Sequence, residues 1–77
     1  MKNVNLPTLM AGEIVVHAST ATVGRVVNTL YPLNHKMADI EQELLLLDGS
    51  KRTLKFLELT LANRVQARPF LATATAV

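Results

Sequence analysis

Two histidines, His17 and His35, two serines, Ser19 and Ser50, and the carboxylates at Glu41 and Glu43 are the side chains of this 77-residue chain with the plainest chemical potential. Neither histidine has a cysteine or a carboxylate at metal-ligand spacing, so a zinc or other metal site is not expected. Ser19 and Ser50 each precede an expected helix and read as helix caps rather than nucleophiles. Glu41 and Glu43 sit two residues apart, diverge on a helix, and cannot share acid–base work. Gly12, Gly24 and Gly49 are isolated, which leaves no glycine-rich phosphate loop. The expectation is a non-enzymatic protein that uses no cofactor and no metal.

Binding chemistry is better represented. Lys51, Arg52 and Lys55 gather beside Phe56, and cations next to an aromatic ring are common in protein-binding hot spots. The same cations could meet phosphates or an acidic protein surface. Toward the N-terminus, Val4 and Leu6 alternate with Asn3 and Asn5, and Ile14 and Val16 belong to a β-branched run opened by Gly12. An extended arm of this kind binds by adding a strand to a partner's sheet edge. The candidate partner-binding residues are therefore Val4, Leu6, Ile14, Val16, Arg52, Lys55 and Phe56.

The elements that must position these residues follow from the apolar pattern. Leu33, Ile40, Leu47, Leu54 and Leu61 form a seven-residue ladder. As a continuous zipper it would place Lys51 and Glu58 in the seam and Gly49 in the helix interior, where glycine costs about 1 kcal/mol against alanine. Breaking the ladder at Asp48-Gly49-Ser50 avoids those penalties, because Gly49 suits a left-handed helix end and its neighbours suit a turn. Val23, Val26, Val27, Leu30 and Tyr31 recur at helical spacing, and Pro32 ends that segment. The spacing thus predicts a mainly α chain with a short N-terminal β segment at 13–17. Its three short helices, near 20–31, 34–48 and 51–67, end in an antiparallel hairpin of the last two.

The expected domain covers 1–70 with an extended arm at 1–11, and the uncharged LATATAV stretch at 71–77 reads as a disordered tail. On the third helix Phe56 and Leu59 lie opposite the packed face. Two readings stay open there: cover by the N-terminal elements, or an exposed patch for a partner or a second copy.

Composition bounds the function class. Apolar residues make up 49%, too many for a disordered chain, and there is no cysteine to form disulfides. A net charge of +2 is modest for a dedicated nucleic-acid module. No apolar run spans a membrane and no signal-peptide core opens the chain, so a cytoplasmic protein is expected.

The whole profile, short, cysteine-free and slightly basic with an Ala/Thr-rich end, resembles small phage-encoded proteins. Among these it is similar to those that bind host RNA polymerase and act as inhibitors or antitermination factors. That resemblance implies a regulatory protein working by protein–protein contact in the host cytoplasm, with RNA polymerase as partner. The alternatives are a helix-turn-helix-like nucleic-acid binder with the third helix as reader, or a structural homodimer that buries Phe56 and Leu59 against their copies.

Overall fold

The computed structural model describes residues 8–75, with the side chains of 8–71, and its architecture is a sheet rather than a helical bundle. Five strands, β1 (Ile14–His17), β2 (Thr22–Leu30), β3 (Glu41–Leu45), β4 (Lys51–Lys55) and β5 (Leu59–Leu61), pair antiparallel in the order β4-β3-β2-β1-β5. One α-helix, α1 (Arg64–Thr75), follows, and short 3-10 turns occupy Met37–Asp39 and Phe56–Glu58. The expected helices at 20–31 and 34–48 are replaced by β2 and β3. The expected helix at 51–67 is replaced by β4, a 3-10 turn, β5 and only the first residues of α1.

Strand residues explain the outcome. β2 reads TVGRVVNTL, rich in side chains branched at Cβ, which prefer a pleated surface to a helix turn. Its inward positions are Gly24, Val26 and Thr29. A bulge between Val26 and Asn28 inserts one residue, so their spacing changes from two to three. That irregularity imitates a helical stripe, and the same valines serve a strand.

Asp48-Gly49-Ser50 turns the chain as expected, but between strands. Gly49 adopts φ +87° and its N–H donates to Leu46 O at 3.0 Å, while Leu46 N–H donates to Ser50 O at 2.8 Å. A tight hairpin loop with glycine in the left-handed position results. Ser50 N–H and Oγ both donate to Asp48 Oδ1, at 2.9 and 2.5 Å, and these bonds hold the Asp48 carboxyl below its ordinary 3.8.

The core lies on one face of the sheet, where Val15, Val26, Leu44 and Leu59 are buried together with Met10, Leu46 and Leu54 packed against them. Of the heptad ladder, Leu54 packs against this core, and most of the rest does not. Leu33, Leu47 and Leu61 are 51%, 56% and 62% exposed and fall in a loop, a hairpin tip and an edge strand. Leu59 is core, covered within the chain itself.

A buried polar pair closes one end of the core. Gln42, fully buried, donates from Nε2 to Leu9 O at 3.1 Å and accepts from Thr29 Oγ1. Thr29 Oγ1 in turn accepts from Leu9 N–H at 3.0 Å. Side chains of β2 and β3 thereby hold both main-chain groups of Leu9, and no polar atom of the pair is left without a bond.

Alternation along β1 and β2 turns Ile14, Val16, Val23 and Arg25 to the opposite face, where α1 lies against β1 and β2. The helix opens with a reciprocal cap. Asn63 Oδ1 accepts from Gln66 N–H at 2.8 Å, and Gln66 Oε1 accepts from Asn63 N–H at 2.9 Å. Pro69 falls inside α1, and Leu71 to Thr75, expected in a disordered tail, continue the helix. Most of the expected arm, including Val4 and Leu6, lies outside the described residues.

Candidate functional site

The chain's single buried histidine is the first place to look for chemistry. His17 ends β1 beside the β1–β2 turn. Its Nε2 lies 2.7 Å from Glu58 Oε1, and its Nδ1 lies 2.7 Å from Thr20 Oγ1 and 3.3 Å from Ser19 Oγ. With Nε2–H donating to the carboxylate, Nδ1 accepts from the hydroxyl. A hydroxyl, an imidazole and a carboxylate in series are the parts of an activated nucleophile.

The second requirement is free donors for a developing oxyanion, and three N–H groups at this turn are already engaged. The Thr20 and Ala21 N–H groups both point at His17 O, and Ala18 N–H donates to Glu58 O. Thr20 Oγ1 is also bonded to Thr22 Oγ1 at 2.9 Å. The cluster is a satisfied network that pins the β1–β2 turn to the start of β5. Forty-one residues separate His17 from Glu58, so no local spacing could have paired them.

Partner-binding candidates are redistributed by the sheet. Ile14 and Val16 belong to β1, which pairs with β2 on one side and β5 on the other. No edge of β1 is free for a partner, and both side chains are half-buried on the α1 side. Arg52, Lys55 and Phe56 stay together, now on β4 and the 3-10 turn after it rather than on a helix. Phe56 is half-buried, and its N–H donates to Ile40 O at 2.9 Å.

The geometry of β4 is that of an open edge. Among the described residues it pairs with β3 alone. The Leu46–Ser50 and Phe56–Ile40 bonds fix which main-chain groups face β3. Because an antiparallel strand alternates the two directions, Ser50, Arg52, Leu54 and Phe56 turn their N–H and C=O groups toward β3. Lys51, Thr53 and Lys55 turn theirs outward. Lys51, Arg52 and Thr53 are exposed.

Side-chain charge is arranged in rows. On one face, Glu41 and Glu43 of β3 stand opposite Lys55 and Thr53, and Lys51 ends the β4 row. Lys55 Nζ also lies 3.8 Å from Asp39 Oδ1. The two 3-10 turns pack on each other at the far end of β4. There Met37 and Leu57 are each 58% exposed. Sequence reasoning missed this pair because both residues fall inside the helices expected at 34–48 and 51–67.

Among the described residues there is no cluster of three or more histidine, aspartate or glutamate side chains that could hold a metal, and no helix is long and apolar enough to cross a membrane. The helix-turn-helix reading loses its reading helix, since 51–61 is strand and turn. No family model matches the chain, and no curated protein or solved structure shows a significant match.

Proposed function

We propose that this chain is a small non-enzymatic regulatory protein that binds an acidic, extended segment of a partner protein along the outer edge of β4. The observation that carries the reading is the outward row of main-chain groups at Lys51, Thr53 and Lys55, flanked by the exposed cations Lys51 and Arg52. Such an edge templates strand addition, where main-chain bonds supply affinity and side chains supply specificity.

Charge rows favour an acidic strand. The sheet presents an acidic row on β3 and a basic row on β4, and opposite charges on neighbouring strands attract. An aspartate- or glutamate-bearing segment continues the alternation. An apolar residue at its end would reach Met37 and Leu57. Lysines on a free edge also discourage indiscriminate pairing of identical edges, which suits a monomer awaiting a charged partner.

The resemblance to phage proteins that bind host RNA polymerase makes that enzyme the first partner to test. A pull-down from bacterial lysate with the full chain, compared with a Lys51→Glu/Arg52→Glu double variant, is the direct experiment. Recovery of polymerase subunits by the native chain alone, weakening as salt rises, supports the reading. Equal recovery by both proteins, or recovery of unrelated proteins only, defeats it.

A further inference from the structure

A second site lies on the opposite side of the sheet from the core, where α1 stands over β1 and β2. A cleft of about 270 Å³, open to solvent on one side, is lined by Ile14, Arg25, Leu61, Ala67 and Leu71, with Gly12, Glu13 and Ala62 at its margins. Ile14 and Arg25 are cross-strand neighbours and form its floor. Ala67 and Leu71 come from α1 and form a wall. The lining is apolar apart from two charged side chains.

Arg25 is the informative residue. The residue as a whole is half-buried, and its Nη1 donates to Gly12 O at 2.9 Å in an exposed bond. A guanidinium carries five N–H donors, and among the described residues Arg25 has no carboxylate within ion-pair distance. A cation with donors to spare beside an apolar cleft is a seat for an anion, and its planar fork suits a carboxylate. Glu13 borders the same cleft and is exposed. Its charge opposes a dianion more strongly than a monoanion, since the repulsion scales with the charge that enters.

We infer that this cleft binds a small monocarboxylate with an apolar chain, its carboxylate on Arg25 and its chain along Ile14, Ala67 and Leu71. The size agrees with such a guest, lying just below the lower end of the usual range for small-molecule pockets. The cleft is separate from the β4 edge, from which β3 divides it. The inference therefore stands or falls independently of the partner-binding reading.

The test is a titration of the isotope-labelled full chain with octanoate, followed by amide chemical shifts, alongside octyl phosphate and octanol. Saturable shifts at Gly12, Ile14, Arg25, Ala62 and Ala67 are expected with octanoate. At least tenfold weaker binding is expected for octanol, which lacks the charge, and weaker binding for octyl phosphate, which carries more. Arg25→Gln should weaken octanoate at least tenfold. Ala67→Phe, which fills the cleft while keeping Arg25, should abolish binding and serves as the second variant should Arg25→Gln fail to fold. Octanol matching octanoate overturns the inference. So do shifts centred on Met37 and Leu57, shifts that depend on protein concentration and so assign the cleft to a second copy, or no saturation at millimolar ligand.

Discussion

Gly24 shows how much a single position can matter in a sheet this small. It lies opposite Val15 on the core face, and a Cβ built there would stand 2.8 Å from Leu44 Cβ and 2.9 Å from Leu46 Cδ2. Leu44 Cβ is fixed by its own backbone, so β3 itself must move to admit a methyl group. Overpacking of this kind costs about 1–3 kcal/mol, and each kcal/mol lowers the melting temperature by roughly 4–8 °C in a domain of this size. Gly24→Ala is expected to melt at least 4 °C lower, read by circular dichroism. Gly49 has open space around it, so its requirement is φ +87° alone. The hairpin's acid also carries a pH signature. The hydrogen bonds from Ser50 hold the Asp48 carboxyl below 3.8, with the Arg52 charge a smaller contributor. A carboxyl depressed by folding stabilises the folded state above its unfolded value, and that contribution is lost as pH falls through the folded one. The urea midpoint of Asp48→Ala should therefore differ from the native protein's at pH 6, and the gap should narrow below pH 3.8. A gap independent of pH would show that the turn geometry alone matters.

At the scale of elements, the edge of β4 can be blocked without disturbing its pairing. Thr53 turns its N–H away from β3, and proline is tolerated on an edge strand where that N–H faces solvent. Thr53→Pro is expected to keep the thermal midpoint within a few degrees while lowering partner capture at least tenfold. An undiminished pull-down would mean that the β4 edge is not the contact. Arg52, Lys55 and Phe56 were legible as a group because they are near neighbours in sequence, which any fold preserves. Their setting was not legible. The seven-residue ladder matched a helical period by coincidence, since its members lie in a loop, a hairpin tip and two strands as well as beside a 3-10 turn. The bulge in β2 gave inward positions a mixed spacing of two and three, and the contiguous leucines at 44–47 fit strand or helix equally well. Cβ-branched content was the better guide, but it is a weak preference that packing must complete. The His17–Glu58 bond and the Arg25 cleft join distant segments and left no local trace.

For the whole molecule, a 77-residue chain at roughly 0.05–0.15 kcal/mol per residue has about 4–12 kcal/mol of stability. Among the described residues, the buried apolar side chains that hold this reserve include Val15, Val26, Leu44 and Leu59 on one face, and Phe70 on α1. Phe70 is 7% exposed, while Val65, five residues earlier on the same helix, is 70% exposed. Truncating a buried phenylalanine to alanine costs about 3–5 kcal/mol, a large share of the total. The consequence depends on whether α1 is a separable appendage or part of one cooperative unit. Its packing against β1 and β2, the central strands of the order, argues for one unit. Phe70→Ala should then raise amide hydrogen exchange in β3, which α1 does not adjoin in the strand order, about as much as in α1 itself. Val65→Ala should leave both nearly unchanged. Loss of protection confined to α1 would show instead that the five-stranded sheet is stable without its helix.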